Sequence, residues 1–212
     1  MLLPQKNFVA LLAILFFSFI ISCKNKPKQP EESPSATESV TSNDTITPPT
    51  DPDNLYFSVK GYFDDQWKNK GHLPYVLKKI VTVNGSRKDS SLVNWDSTFF
   101  NQIRSLFEYG DIGTPAMFGK YDFSYSEDNS LGSYNLSYFA KKPDLPSQKV
   151  VVSADAYNNL VRILYVETIS ATAEAYQSHK LTYIPDKVIQ IQAFKKTPNS
   201  KPEETLTVYR FP

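Results

Sequence analysis

Apolar and polar positions divide this chain into four stretches with different periods. Phe8 to Ile21 is a run of 14 residues broken only by Ser18. Residues 24–53 show no apolar period, with no aromatic residue and only Val40 and Ile46 as large aliphatics. Leu55, Val59, Tyr62, Phe63 and Trp67 then recur at helical spacing, which predicts a helix over 53–69 with Asp51-Pro52 as its start signal. Residues 75–83 and 87–93 alternate as strands around Asn84-Gly85, a pair suited to a two-residue hairpin turn. Phe99, Phe100, Ile103, Leu106 and Phe107 predict a second helix over 96–109, ended by Gly110.

From Lys120 the period changes to two. Tyr121, Phe123 and Tyr125 alternate with Asp122, Ser124 and Ser126, and Tyr134, Leu136 and Tyr138 with Asn135 and Ser137. Further strands are predicted over 149–154, 160–168, 180–184, 187–194 and 205–211. Asn158-Asn159, Pro185-Asp186 and Pro198-Asn199 separate them. These connections are too short for parallel crossovers. The expected architecture is α+β, with two helices packed on a curved antiparallel meander sheet in a single domain over 54–212.

The first stretch is too short to span a bilayer comfortably: 14 helical residues rise only about 21 Å against a hydrocarbon core of about 30 Å. With Lys6 before it, the run suits the apolar core of a cleavable signal peptide over 1–22. It ends in Ile20-Ile21-Ser22-Cys23, and Cys23 is the only cysteine in the chain. This ending resembles the lipobox of bacterial lipoproteins. The resemblance implies cleavage before Cys23, a diacylglycerol on its thiol and usually an acyl group on the new amino terminus. Two or three acyl chains hold a protein stably on a membrane.

Pro, Ser and Thr make up 15 of the 30 residues over 24–53. Such a stretch buries too little apolar surface to offset the entropy of ordering, so 23–53 reads as a lipidated cysteine followed by a disordered tether. As a coil the tether would hold its ends about 30 Å apart. Lys24-Asn25-Lys26 follows the cysteine where known sorting rules would place acidic signals for the inner membrane or for surface export. The expected location is therefore the cell envelope, on the periplasmic face of the outer membrane.

Composition narrows the function further. Residues 54–212 carry 19 of the chain's 23 Lys/Arg and 16 of its 22 Asp/Glu, a balance that supplies no nucleic-acid footprint. A single cysteine excludes an internal disulfide and a thiolate metal cluster. His72 and His179 stand 107 residues apart without a ligand pattern around them. No serine lies in a nucleophile elbow, and Gly110, Gly113 and Gly119 do not match a phosphate-binding spacing. Asp64 and Asp65 are adjacent on the first helix, so they point about 100° apart and form no catalytic pair alone. No catalytic residue, metal or cofactor is expected.

Two readings stand for the aromatic ladder of Tyr121, Phe123, Tyr125, Tyr134, Leu136 and Tyr138. It can be a sheet face packed on the helices, or the wall of an apolar cleft for an acyl chain or a peptide. Met117 and Phe118 would then sit on the loop at the mouth, or pin that loop to the core.

Several local phrases resemble a family of uncharacterised lipoproteins of Bacteroidota. They are Tyr62-Phe63-Asp64-Asp65-Gln66, Val83-Asn84-Gly85, Trp95-Asp96, Asp111-Ile112 with Pro115-Ala116, and Leu181-Thr182-Tyr183-Ile184-Pro185. The resemblance covers most of 54–212 and implies an address and a fold, with no activity attached. The expected protein is a non-enzymatic envelope module that binds a protein partner and attaches to the membrane through Cys23. The alternative is a carrier of lipid or another apolar ligand. A hydrolase would need His72 or His179 beside a serine or a carboxylate in a cleft.

Overall fold

Helix α1 runs from Val59 to Lys70, and its start is fixed by two side chains. In the computed structural model, which describes residues 56–212, Ser58 is the N-cap and its Oγ accepts the Gly61 N–H at 3.0 Å. The Asp111 carboxylate accepts the Val59 N–H at 2.9 Å and the Gly113 N–H at 3.1 Å, tying the helix to a loop 52 residues away. The leader, Cys23, the tether and Asp51-Pro52 lie outside the described residues. Within them, the expected helix start is corrected. Tyr56, Phe57 and Ser58 are not helical. The Tyr56 ring stacks on Phe118 and Tyr138 instead, and Ser58 offers the acceptor that an N-terminus needs.

The hairpin β1 (Val76–Val83) and β2 (Ser86–Asn94) follows, then α2 (Ser97–Glu108), capped by Asp96 on the Phe99 N–H at 2.9 Å. After a 3-10 turn at Pro115–Met117 come seven strands. They are β3 (Tyr121–Asp128), β4 (Ser133–Ala140), β5 (Ser147–Asp155), β6 (Val161–Ala171), β7 (Tyr176–Ile184), β8 (Val188–Lys196) and β9 (Glu203–Arg210). The predicted turns recur with the backbone they require: Asn84 and Gly85 have φ of 48° and 78°, Asn159 58° and Asp186 56°. Strand β7 starts four residues before the predicted strand. Gln177, Ser178 and His179 give no apolar alternation, yet they pair with β6 and β8 along their whole length.

All nine strands form one open antiparallel sheet in the order β2-β1-β9-β8-β7-β6-β5-β4-β3, so the fold is α+β and mostly sheet. Strands β3 to β9 lie in chain order. The N-terminal hairpin attaches to the far side of the last strand, through β1 against β9.

One sheet face is the core face. Leu136, Val152, Leu164, Tyr183, Ile189 and Tyr209 are register partners from β4 to β9, and all are buried. Rings from the helices meet this face: Phe63 lies 5.3 Å from Tyr183, and Phe99 4.9 Å from Tyr209. Between the helices, Phe63 lies 4.8 Å from Phe107. The predicted helical stripe is buried at Val59, Tyr62 and Phe63, while Trp67 is half-buried against the core. Gln66 joins them, fully buried, and accepts the Tyr183 O–H at 3.3 Å.

Candidate functional site

Strands β3 and β4 bring the aromatic ladder together in register, with Phe123 opposite Tyr138, Tyr125 opposite Leu136 and Tyr121 opposite Ala140. Tyr121, Tyr134, Leu136 and Tyr138 are buried in the core cluster, and Phe123 is half-buried against it. Tyr125, near the outer end of the edge strand, is 42% exposed. The Tyr138 ring has Phe123 at 5.3 Å on one side and Tyr56 at 6.0 Å on another. Phe118 stacks on Tyr56 at 4.9 Å, and the Gly119 N–H donates to the Tyr56 hydroxyl at 2.6 Å. Met117 is half-buried on the core, whereas Phe118 is 43% exposed.

Burial governs the acidity of these phenols. It pushes Tyr138 far above the ordinary tyrosine range, against a partial offset from the Phe57 backbone, and Tyr134 up to about 12. Tyr121 is also raised by burial, and Ser147 opposes that rise. Such phenols stay protonated at any physiological pH and serve here as packing groups with a polar tip.

The opposite sheet face carries the feature that the sequence reading passed over. Val151, Tyr165, Thr182, Gln190, Val208 and Ile80 are register partners across six strands, and all are half-buried. Alongside runs a second row, Phe139, Lys149, Glu167, Lys180, Gln192 and Leu206. Its charges alternate, so each lysine stands beside Glu167. The Lys149 ammonium lies 5.2 Å from the Phe139 ring centre and 5.9 Å from that of Tyr165. The Tyr165 hydroxyl donates to Glu167 at 3.1 Å. Burial first, then the Glu167 charge, pushes Tyr165 up to about 12. Gln192 donates to Glu204 at 2.7 Å, beside a depression of about 240 Å³ lined by Ser178, Lys180 and Phe194. A signal for this face was present in Val150-Val151-Val152 and Leu164-Tyr165-Val166. Three consecutive apolar residues put apolar side chains on both faces of a strand.

The residues considered for catalysis have other tasks. Asp64 accepts from Lys60 at 2.8 Å and pairs with Arg104 at 2.7 Å, while Glu108 lies 3.6 Å from the same guanidinium. That network joins α1 to α2. His179 borders a pocket of about 290 Å³ that also touches Ser105, Leu106, Tyr109 and Gln177, and its burial lowers its pKa. The Ser105 hydroxyl donates to the Gln102 carbonyl at 2.9 Å, so it is engaged with its own helix. His72 is exposed, on the segment between α1 and β1. Among the described residues no three His, Cys, Asp or Glu side chains group as a metal site, and no helix is long and apolar enough to cross a membrane.

The chain matches no protein-family description, no curated protein and no solved structure.

Proposed function

We propose that the chain is an envelope lipoprotein, anchored through Cys23 to the periplasmic face of the outer membrane, that binds a partner protein through the second face of its sheet. In this reading the sheet curves around the two helices and turns its other face outward. The observation that carries the reading is the row of Val151, Tyr165, Thr182, Gln190 and Val208, flanked by Lys149, Glu167 and Lys180. None of these side chains is fully buried. An uncharged, tyrosine-bearing row beside a charged one matches the depletion of charge at the centre of protein interfaces. The tether read from 24–53 would give the domain reach to find its partner. The filled surroundings of Tyr138 favour this reading over a lipid carrier, since Tyr56 and Phe123 occupy the space beside that ring.

Two measurements test the two halves. For the anchor, Cys23→Ala should abolish palmitate labelling and release the protein from the membrane fraction. Continued labelling would remove the lipoprotein reading. For the interface, a photo-crosslinking residue at position 165 should form one discrete protein adduct in intact envelopes. The same probe at Asn101, exposed on α2, should form none. An adduct that persists when Val151→Glu places a charge directly beside Tyr165 in the row would rule this face out.

A further inference from the structure

The corner of the sheet where the chain enters the described fold is basic. Lys120 and Lys141 stand opposite each other just beyond the β3–β4 ladder, the Lys141 N–H donating to the Lys120 carbonyl at 3.0 Å. Like charges placed this way repel. Together with Gly119, Lys142, Asp144 and Leu145 they line an open pocket of about 250 Å³. The Lys141 ammonium donates to the Gly119 carbonyl at 2.9 Å and lies 3.8 Å from Asp122. Three lysines thus face two carboxylates, Asp122 and Asp144, leaving net positive charge. Half-buried Leu145 gives the pocket an apolar wall, and exposed Phe118 is the residue before Gly119.

Tyr56, the first described residue, is bonded to Gly119, a residue of that same pocket. The N-terminal end of the described fold is thus tied to the lysine pocket through Gly119.

We propose that this corner, Lys120, Lys141 and Lys142 with Phe118 and Leu145 beside them, is a membrane-docking site that receives the phosphate of anionic phospholipid headgroups in the bilayer holding the anchor. This rests on the anchor reading above and adds an orientation to it. Each lysine close to an anionic surface strengthens attachment about fivefold, and the tether keeps the headgroups at high local concentration, so a weak site suffices. Docking here would hold the β3–β4 corner at the membrane.

The acylated chain, reconstituted through Cys23 into vesicles, allows a direct test. Acetylation rates at Lys120, Lys141 and Lys142 are read by mass spectrometry, with exposed Lys201 as the internal reference. On phosphatidylcholine with a quarter phosphatidylglycerol, the three lysines should react at least about fivefold more slowly than on phosphatidylcholine alone. High salt should restore the rate, because it screens the attraction. Equal rates on the two vesicles would overturn the proposal. So would equal protection by inorganic phosphate on phosphatidylcholine, which would make the pocket a soluble-anion site. Lys120→Glu with Lys142→Glu should lose the lipid dependence at Lys141 with little change in melting temperature, since both substituted side chains are exposed. The intact mass of the same sample reports acylation of Cys23 separately. If Cys23 is unmodified, the anchor reading fails, and sedimentation of the chain with phosphatidylglycerol vesicles decides the docking site by itself.

Discussion

Gly110 and His179 lie on either side of one contact between α2 and β6–β7, and each makes a separate demand on the fold. A Cβ on Gly110 would sit 2.3 Å from the Val166 Cγ1 methyl, in the core, where the neighbour has nowhere to move. Gly110→Ala should therefore destabilise by about 1–3 kcal/mol, the range for forced overpacking, and urea denaturation will read it. His179 acts through its proton. Burial holds its pKa below the ordinary 6.5, so the unfolded chain takes up a proton at higher pH than the folded one. Stability from this residue is intact above about pH 6.5 and falls as pH drops through that value towards the lower folded pKa. Melting temperatures across pH 5 to 7.5 should fall on the acid side, and His179→Gln should flatten the curve. A wild-type profile as flat as that of the variant would show that the imidazole is not desolvated.

Capping decides the elements. Asp111 closes the N-terminus of α1 and its own turn with one carboxylate oxygen. Asp111→Ala should cost about 1–2 kcal/mol, while Asp111→Asn, which keeps a carbonyl oxygen, should recover most of that in the same denaturation experiment. This cap was not legible in the sequence because the donor and the acceptor are 52 residues apart. Local signals were legible. Asn84-Gly85, Asn159 and Asp186 carry their turn backbone in residue type, and the strands between them alternate visibly. The start of α1 was misread for a physical reason. Asp51-Pro52 is a valid local start signal, but Tyr56 gains more from stacking on Tyr138 and Phe118 than from extending a helix. The ladder was legible as a shared sheet face, and the packing of Tyr56 on Tyr138 was not. The lysine corner was equally hidden, because Lys120 and Lys141 become neighbours only through strand pairing.

At the scale of the whole molecule, the sheet is completed by a pairing between the two ends of the described fold. Strand β9 inserts between β1 and β8, so the N-terminal hairpin is held in the sheet only through the last strand. Contacts of such sequence separation must close a long loop, which slows folding relative to a chain of local hairpins. They also make β9 the strand whose failure releases most structure. Thr207 has Val81 on one side and Ile191 on the other, so whichever way its N–H points, a partner strand is there. Thr207→Pro removes that donor and orphans a half-buried carbonyl, at about 1–3 kcal/mol before any distortion of the strand. The expected result is local as well as global. The β1–β2 hairpin should lose protection in hydrogen exchange, and trypsin should cut at Lys78, Lys79 and Arg87, while β4 to β6 keep their protection. Uniform loss of protection across all nine strands would instead mean that the hairpin and the rest of the sheet unfold as one unit.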